Sequence, residues 1–158
     1  MKAAFTTLKM DDWNNKQLSN HRRAIKSVRE KVFVCEYHIP PEVEFDQKDT
    51  RCKHILIQDE QTTIATGRIS PKGKIGRIAV LKKYRNTEVP KQVVNSLLNI
   101  AKDSGLTNIT IDSDLHNVHE FQQQGFKTVG SVFMESGIAK QTLVCDIARF
   151  TCTLPVLH

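Results

Sequence analysis

The residues best suited to chemistry lie between Lys72 and Lys91, a span with seven basic side chains and one acidic one, Glu88. Lys74 to Leu81 is short, rich in β-branched residues and preceded by Gly73, which predicts a buried strand. Lys82, Lys83 and Arg85 then crowd into a turn. A helix follows, on which Val93, Val94, Leu97, Leu98 and Ala101 draw one apolar stripe. Pro90 suits its first position and Gly105 its C-terminal stop. A strand that delivers a basic loop to a helix N-terminus is a place to bind phosphate, because the unpaired N–H groups and the helix dipole both favour an anion.

A second group is acidic. Glu44, Asp46 and Asp49 fall close together after Pro40 and Pro41, and predict an acidic lining for a cationic acceptor. The four cysteines, Cys35, Cys52, Cys145 and Cys152, form no C-x-x-C pair. That argues against zinc and for reduced thiols in a cytoplasmic protein. No other metal or Ser-His-Asp pattern is present.

These groups need a scaffold. The 158 residues suit one domain, with residues 148–158 read as a tail. Ala3 to Leu8 predicts an edge strand. A helix from Ser19 or Asn20 to about Val34 would put Ile25, Val28 and Val32 inward and Arg22, Arg23, Lys26 and Arg29 in water. Ile55, Ile57 and Thr63 to Ile69 alternate around Asp59-Glu60-Gln61, which predicts a hairpin. A strand through Ile109 and Ile111 ends at Asp112. Asp114 starts a short helix that buries Val118 and Phe121 and stops at Gly125. Phe126 to Met134 and Gln141 to Ile147 read as the last two strands, with Ser136 and Gly137 between them. The order predicts an α/β (α+β) fold: a mixed central sheet of six to seven strands with helices on both faces.

The net charge of +6 agrees with an anionic partner. With seven Phe, two Tyr and one Trp and no basic–aromatic interleaving, nucleic acid is not the expected one. The N-terminal apolar run is too short for a signal peptide, and no stretch reaches membrane-spanning length.

Several runs together resemble the GNAT superfamily of acyl-CoA N-acyltransferases, in its small bacterial ElaA-like branch. They are Val28-Arg29-Glu30-Lys31-Val32-Phe33 with Glu36, then Asp46, Asp49 and His54, then Gly67-Arg68-Ile69, Lys74 to Val80, Gly125-Phe126, and Met134 to Ile138. The resemblance covers roughly residues 20–147. It implies an opening between two central strands in which acetyl-CoA lies as donor while an amine, on a small molecule or a protein, attacks the thioester. It implies that the backbone of Ile78, Ala79, Val80 and Leu81 bonds the pantetheine arm. Lys82, Lys83, Arg85, Asn86, Thr87, Glu88, Val89, Pro90 and Lys91 would then hold the phosphates. Glu36, Asp46, Asp49 and His116 are the candidates to bind or deprotonate the amine, with His119 near the same helix.

Two motifs depart from the family pattern. Its loop reads Arg/Gln-x-x-Gly-x-Gly/Ala, and here Glu88 and Pro90 stand at the glycine positions. Phe121 occupies the place of the usual tyrosine, so the ring that would line the donor site lacks the hydroxyl that protonates the leaving thiolate. These departures motivate an alternative: a GNAT-fold binding or regulatory module with impaired catalysis. Arg29, Phe33, Glu44, Asp46, Asp49 and Arg68 also echo the acyl-homoserine-lactone synthases, a further alternative, although Lys74 stands where those enzymes carry glutamate. The acceptor and the oligomeric state, a homodimer included, are left open by the sequence.

Overall fold

The computed structural model describes residues 5–149. Seven strands form one mixed sheet: β1 Phe5–Met10, β2 Lys53–Asp59, β3 Thr62–Ile69, β4 Lys74–Val80, β5 Asn108–Asp114, β6 Lys127–Glu135 and β7 Ile138–Asp146, in the order β1-β2-β3-β4-β5-β7-β6. The predicted hairpin turns at Glu60, whose φ of 59° is the left-handed conformation a tight reversal needs. The predicted edge strand begins, in the described residues, at Phe5; Ala3 lies outside them, as do residues 150–158 of the expected tail.

Helix α1, Ser19–Arg29, packs on one face through Ile25 and Val28. It does not run on as a plain helix to Val34. It widens into a π-helical segment, Glu30–Glu36, which still buries Val32. Arg29 is also a correction. It does not face water but is 1% exposed, because charges from distant segments surround it. A single helical turn, α2 Pro41–Glu44, and a 3₁₀ turn, Gln47–Arg51, lie on the same side.

Helix α3, Val89–Asp103, covers the opposite face with Val89, Val93, Val94, Leu97, Leu98 and Ala101. Pro90 is its second residue rather than its first, since Val89 already has helical geometry; the proline N–H is still not missed, because that turn's donors have no helical acceptor. Gly105 follows the C-cap with φ 78°, as a C′ glycine should. Helix α4, Val118–Gln123, lies on the α3 side and is preceded by a 3₁₀ turn, Leu115–Asn117, so Asp114 starts that turn instead of the helix.

The sheet opens between β4 and β5. These parallel strands pair only at Lys74↔Thr110 and Ile75↔Ile111. Beyond Ile75 they separate, as the family resemblance requires. The cause sits in β4: Arg77 and Ile78 together oppose Gly67 alone, since Arg68 pairs with Gly76 and Thr66 with Ala79. Such a bulge bends its strand and raises its twist. Arg77 takes φ 50°, an uncommon conformation for a residue with a side chain. Gly67 lets α3 close over the bend: a Cβ there would meet Leu97 Cδ1 and Val93 Cγ1 at 2.9 Å.

Candidate active site

Leu81 donates its N–H to Ile64 of β3 at 2.9 Å. Alternation along the strand then turns the Val80 carbonyl to the opposite edge, the one that β5 has left. Arg85 occupies that edge. Its Nε donates to Val80 O at 2.9 Å, and its two terminal nitrogens hold Glu36 in a bidentate pair at 2.5 and 2.8 Å. Glu36 comes from the end of the π-helical segment. The next residue, Tyr37, has its ring 6.3 Å from that of Phe33 and is 40% exposed. Burial pushes the Tyr37 phenol up, Arg85 pulls the other way, and the carboxylates of Glu36 and Asp114 add to the rise. The phenol therefore carries its proton at neutral pH.

Asp114 ends β5 on the far side of the opening. Ile109 and Ile111 pack into the α3-side core, so Asp112 and Asp114, alternating with them, face the α1 side. Asp112 is tied to Lys74 Nζ at 2.5 Å and accepts from Thr142 at 2.7 Å. Asp114 carries no such tie among the described residues and is half-buried. The opening is thus bordered by Val80, Arg85, Glu36 and Tyr37 on one side and by Asp114 on the other. Neither Tyr37 nor Asp114 was singled out for chemistry by the sequence. The only signal for Tyr37 was its place beside Glu36, and for Asp114 its place at a strand end.

The phosphate loop is folded as successive turns. The 3₁₀ turn Lys82–Tyr84 leaves Lys82 and Lys83 exposed. Thr87 donates its hydroxyl to Tyr84 O at 2.6 Å and accepts the Val89 N–H at 3.2 Å, which satisfies one orphan donor of α3. Glu88 is the N-cap, exposed, with φ −72°, so no left-handed glycine conformation is used at this position. Asn86 is exposed, Lys91 half-buried and Pro90 buried.

The acids of residues 44–49 sit elsewhere. Arg29 donates to Glu44 at 2.7 Å through Nε and to Asp49 at 2.7 Å through Nη1. Arg68 bonds Asp49 at 2.8 Å and Asp46 at 2.8 and 3.1 Å. Arg77 reaches Asp46 at 3.1 Å, Glu44 O at 3.2 Å and Val43 O at 3.2 Å. Three guanidiniums therefore meet three carboxyls, most of them buried. Burial pushes Glu44 up, with Arg29 and Arg77 opposing it. Burial acts on Asp46 in the same sense, but the hydrogen bond and charge of Arg68, together with Arg77, outweigh it and hold that carboxyl below its usual range. For Arg68, burial opposes the charge and its bonds to Asp46 and Asp49 more than restore it. The network ties the segment after α1 to the β4 bulge through Arg77. It does not bring Asp46 or Asp49 together with Glu36.

His54 closes the network from below, 1% exposed against Trp13, with ring centroids 4.3 Å apart. Its Nε2 lies 3.0 Å from Asp49 O, and since a carbonyl only accepts, that nitrogen carries the proton. Burial pushes the imidazole from 6.5 down to about 4, against the pull of Asp49. Between those values the unfolded chain binds a proton that the folded chain refuses. Stability is therefore fully present above about pH 6.5 and drains as pH falls towards 4, by about 3 kcal/mol from this group alone. Urea denaturation across that window should show the wild type losing about that much more than His54→Gln. Parallel curves would refute the assignment.

His116 lies on the surface in the 3₁₀ turn after Asp114, and His119 is exposed beside Gln123 at 3.2 Å. Phe121 is 8% exposed and packs edge-on against Phe126 at 5.5 Å, within the α3-side core. Of the two tyrosines, Tyr84 gives its hydroxyl to Asp59 at 2.7 Å. Tyr37 is thus the tyrosine beside the opening.

Comparison with known proteins agrees with this geometry. The family model described as "Acetyltransferase (GNAT) domain" matches residues 13–146. YyaT of Bacillus subtilis is 33% identical over 128 residues, 77% of this chain and 86% of that protein. The structure of an acyl-CoA N-acyltransferase from Pseudomonas aeruginosa superposes with a TM-score of 0.78 at 20% identity, covering 90% of this chain and 99% of that one. Escherichia coli ElaA gives 0.76 at 21%, covering 90% and 100%. Among the described residues no helix is long and apolar enough to cross a membrane.

Proposed function

The chain belongs to the GNAT acetyltransferase family, and from that premise we propose that it transfers an acetyl group from acetyl-CoA to a cationic amine, on a small molecule or a protein, in the cytoplasm. One observation carries the reading: beyond Ile75 the edge of β4 has no strand beside it, and β4 ends in a basic loop at a helix N-terminus. The pantetheine arm would add to that edge as an extra strand does, using the backbone from Ile78 to Leu81. Lys82, Lys83, Arg85 and the first turn of α3 would take the phosphates.

The reaction needs a neutral amine. We assign proton removal to Asp114, which borders the opening without an ion pair. The amine then attacks the thioester carbonyl, the C–S bond breaks, and the thiolate leaves. Phe121 offers it no proton; the protonated Tyr37 phenol is the donor at the opening. Asp46 and Asp49 act one step back, holding Arg68 and Arg77 so that the bulge and the loop over it keep their shape.

Calorimetric titration with acetyl-CoA tests the reading, followed by thiol release with a panel of primary amines. Micromolar binding and amine-dependent release are expected. No binding at millimolar donor would overturn the assignment.

A further inference from the structure

The Glu36–Arg85 pair stands where the donor's phosphates must arrive, and it uses the group best fitted to hold them. All three Arg85 nitrogens are engaged, two by Glu36 and one by the Val80 carbonyl, and the side chain is only 12% exposed. A guanidinium fork fits a carboxylate and a phosphate equally well in shape. Both cannot occupy it together. We propose that Glu36 sets the affinity of donor binding: its carboxylate holds the Arg85 fork until the donor's diphosphate displaces it. The proposal rests on reading the opening as a coenzyme A site.

Three features suit this role. Glu36 is 34% exposed, so its carboxylate can swing to water without entering the core. It ends a π-helical segment, a wide turn that is costly as regular structure and is frequently found at functional sites. The exposed Lys82 and Lys83 draw the more highly charged diphosphate to the place where the single carboxylate sits. A donor without phosphates has nothing to displace Glu36 with.

The test is calorimetry with coenzyme A at low salt on the wild type, Glu36→Gln, Arg85→Gln and the double variant, with pantetheine as the probe lacking phosphate. Melting curves confirm that each variant is folded, and Glu36→Ala guards against a glutamine that keeps a hydrogen bond to Arg85. Glu36→Gln should bind coenzyme A five- to tenfold more tightly. Arg85→Gln should bind it at least tenfold more weakly, and adding Glu36→Gln to that background should change nothing. Pantetheine should not distinguish wild type from Glu36→Gln. Unchanged or weaker coenzyme A binding by both Glu36 variants, with a wild type that binds, overturns the proposal and leaves the proposed function standing. So does a gain that survives in Arg85→Gln, since Glu36 would then act by general repulsion. Failure of every form to bind coenzyme A overturns both.

Discussion

Asp49→Asn should lower the melting temperature by about 10 °C. Asp49 is 3% exposed and accepts from two guanidiniums, Arg29 and Arg68, that are themselves 1% and 8% exposed. An asparagine of the same shape removes the charge and leaves both cations short of a partner in a medium that cannot solvate them. Breaking a buried pair in this way costs about 3–5 kcal/mol. In a domain of this size 1 kcal/mol corresponds to roughly 2–4 °C. The control is Glu135→Gln, which breaks an exposed pair with Lys140 at 2.9 Å and should cost less than about 1 kcal/mol. If both variants shift the melting point by similar small amounts, the buried network is not what holds the segment after α1 against β4.

Asp114→Asn should lower kcat/KM for the amine by about 10²-fold or more. General-base catalysis contributes about 10²- to 10⁴-fold, and asparagine keeps the shape while losing the ability to take a proton. Asp114 borders the opening outside the buried network, so the fold should be almost unaffected. The affinity for coenzyme A should stay within about twofold, because Asp114 belongs to the amine side. Two readings separate a base from a structural carboxylate. Asp114→Glu should recover part of the rate, and melting temperatures should match. A fall of less than about threefold, or an equal loss of donor affinity, would send the search for the base back to Glu36 and His116.

Much of the fold was legible because it is written in local periods. The stripe from Val93 to Ala101 recurs every helical turn, and the structure buries all of it on α3. Alternation in residues 55–69 specified a hairpin. Gly105 and Gly125 take φ 78° and 104°, backbone states that their lack of a Cβ makes inexpensive. The same local logic failed at Arg29. Its position among Arg22, Arg23 and Lys26 reads as a wet face, yet its partners lie 15 and 20 residues further on. At Glu88 and Pro90, which the family pattern marks as lost glycines, the local reading of a helix start held to within one residue, and the structure uses them as the cap and first turn of α3.

The sequence by itself determined the elements, the mixed sheet and the basic loop at a helix N-terminus. These depend on neighbours within a turn or a pleat, where side-chain chemistry and backbone geometry are directly coupled. Only the tertiary structure decided which acid meets which cation. Glu36 reaches Arg85 across 49 residues, and Tyr37 comes near Asp114 because a bulge at Arg77 turns β4 away from β5. Charges act through space, with no period along the chain to betray them. That is why the sequence could group Glu36, Asp46 and Asp49 as candidates but not show that Asp46 and Asp49 meet Arg68 and Arg29 while Glu36 meets Arg85.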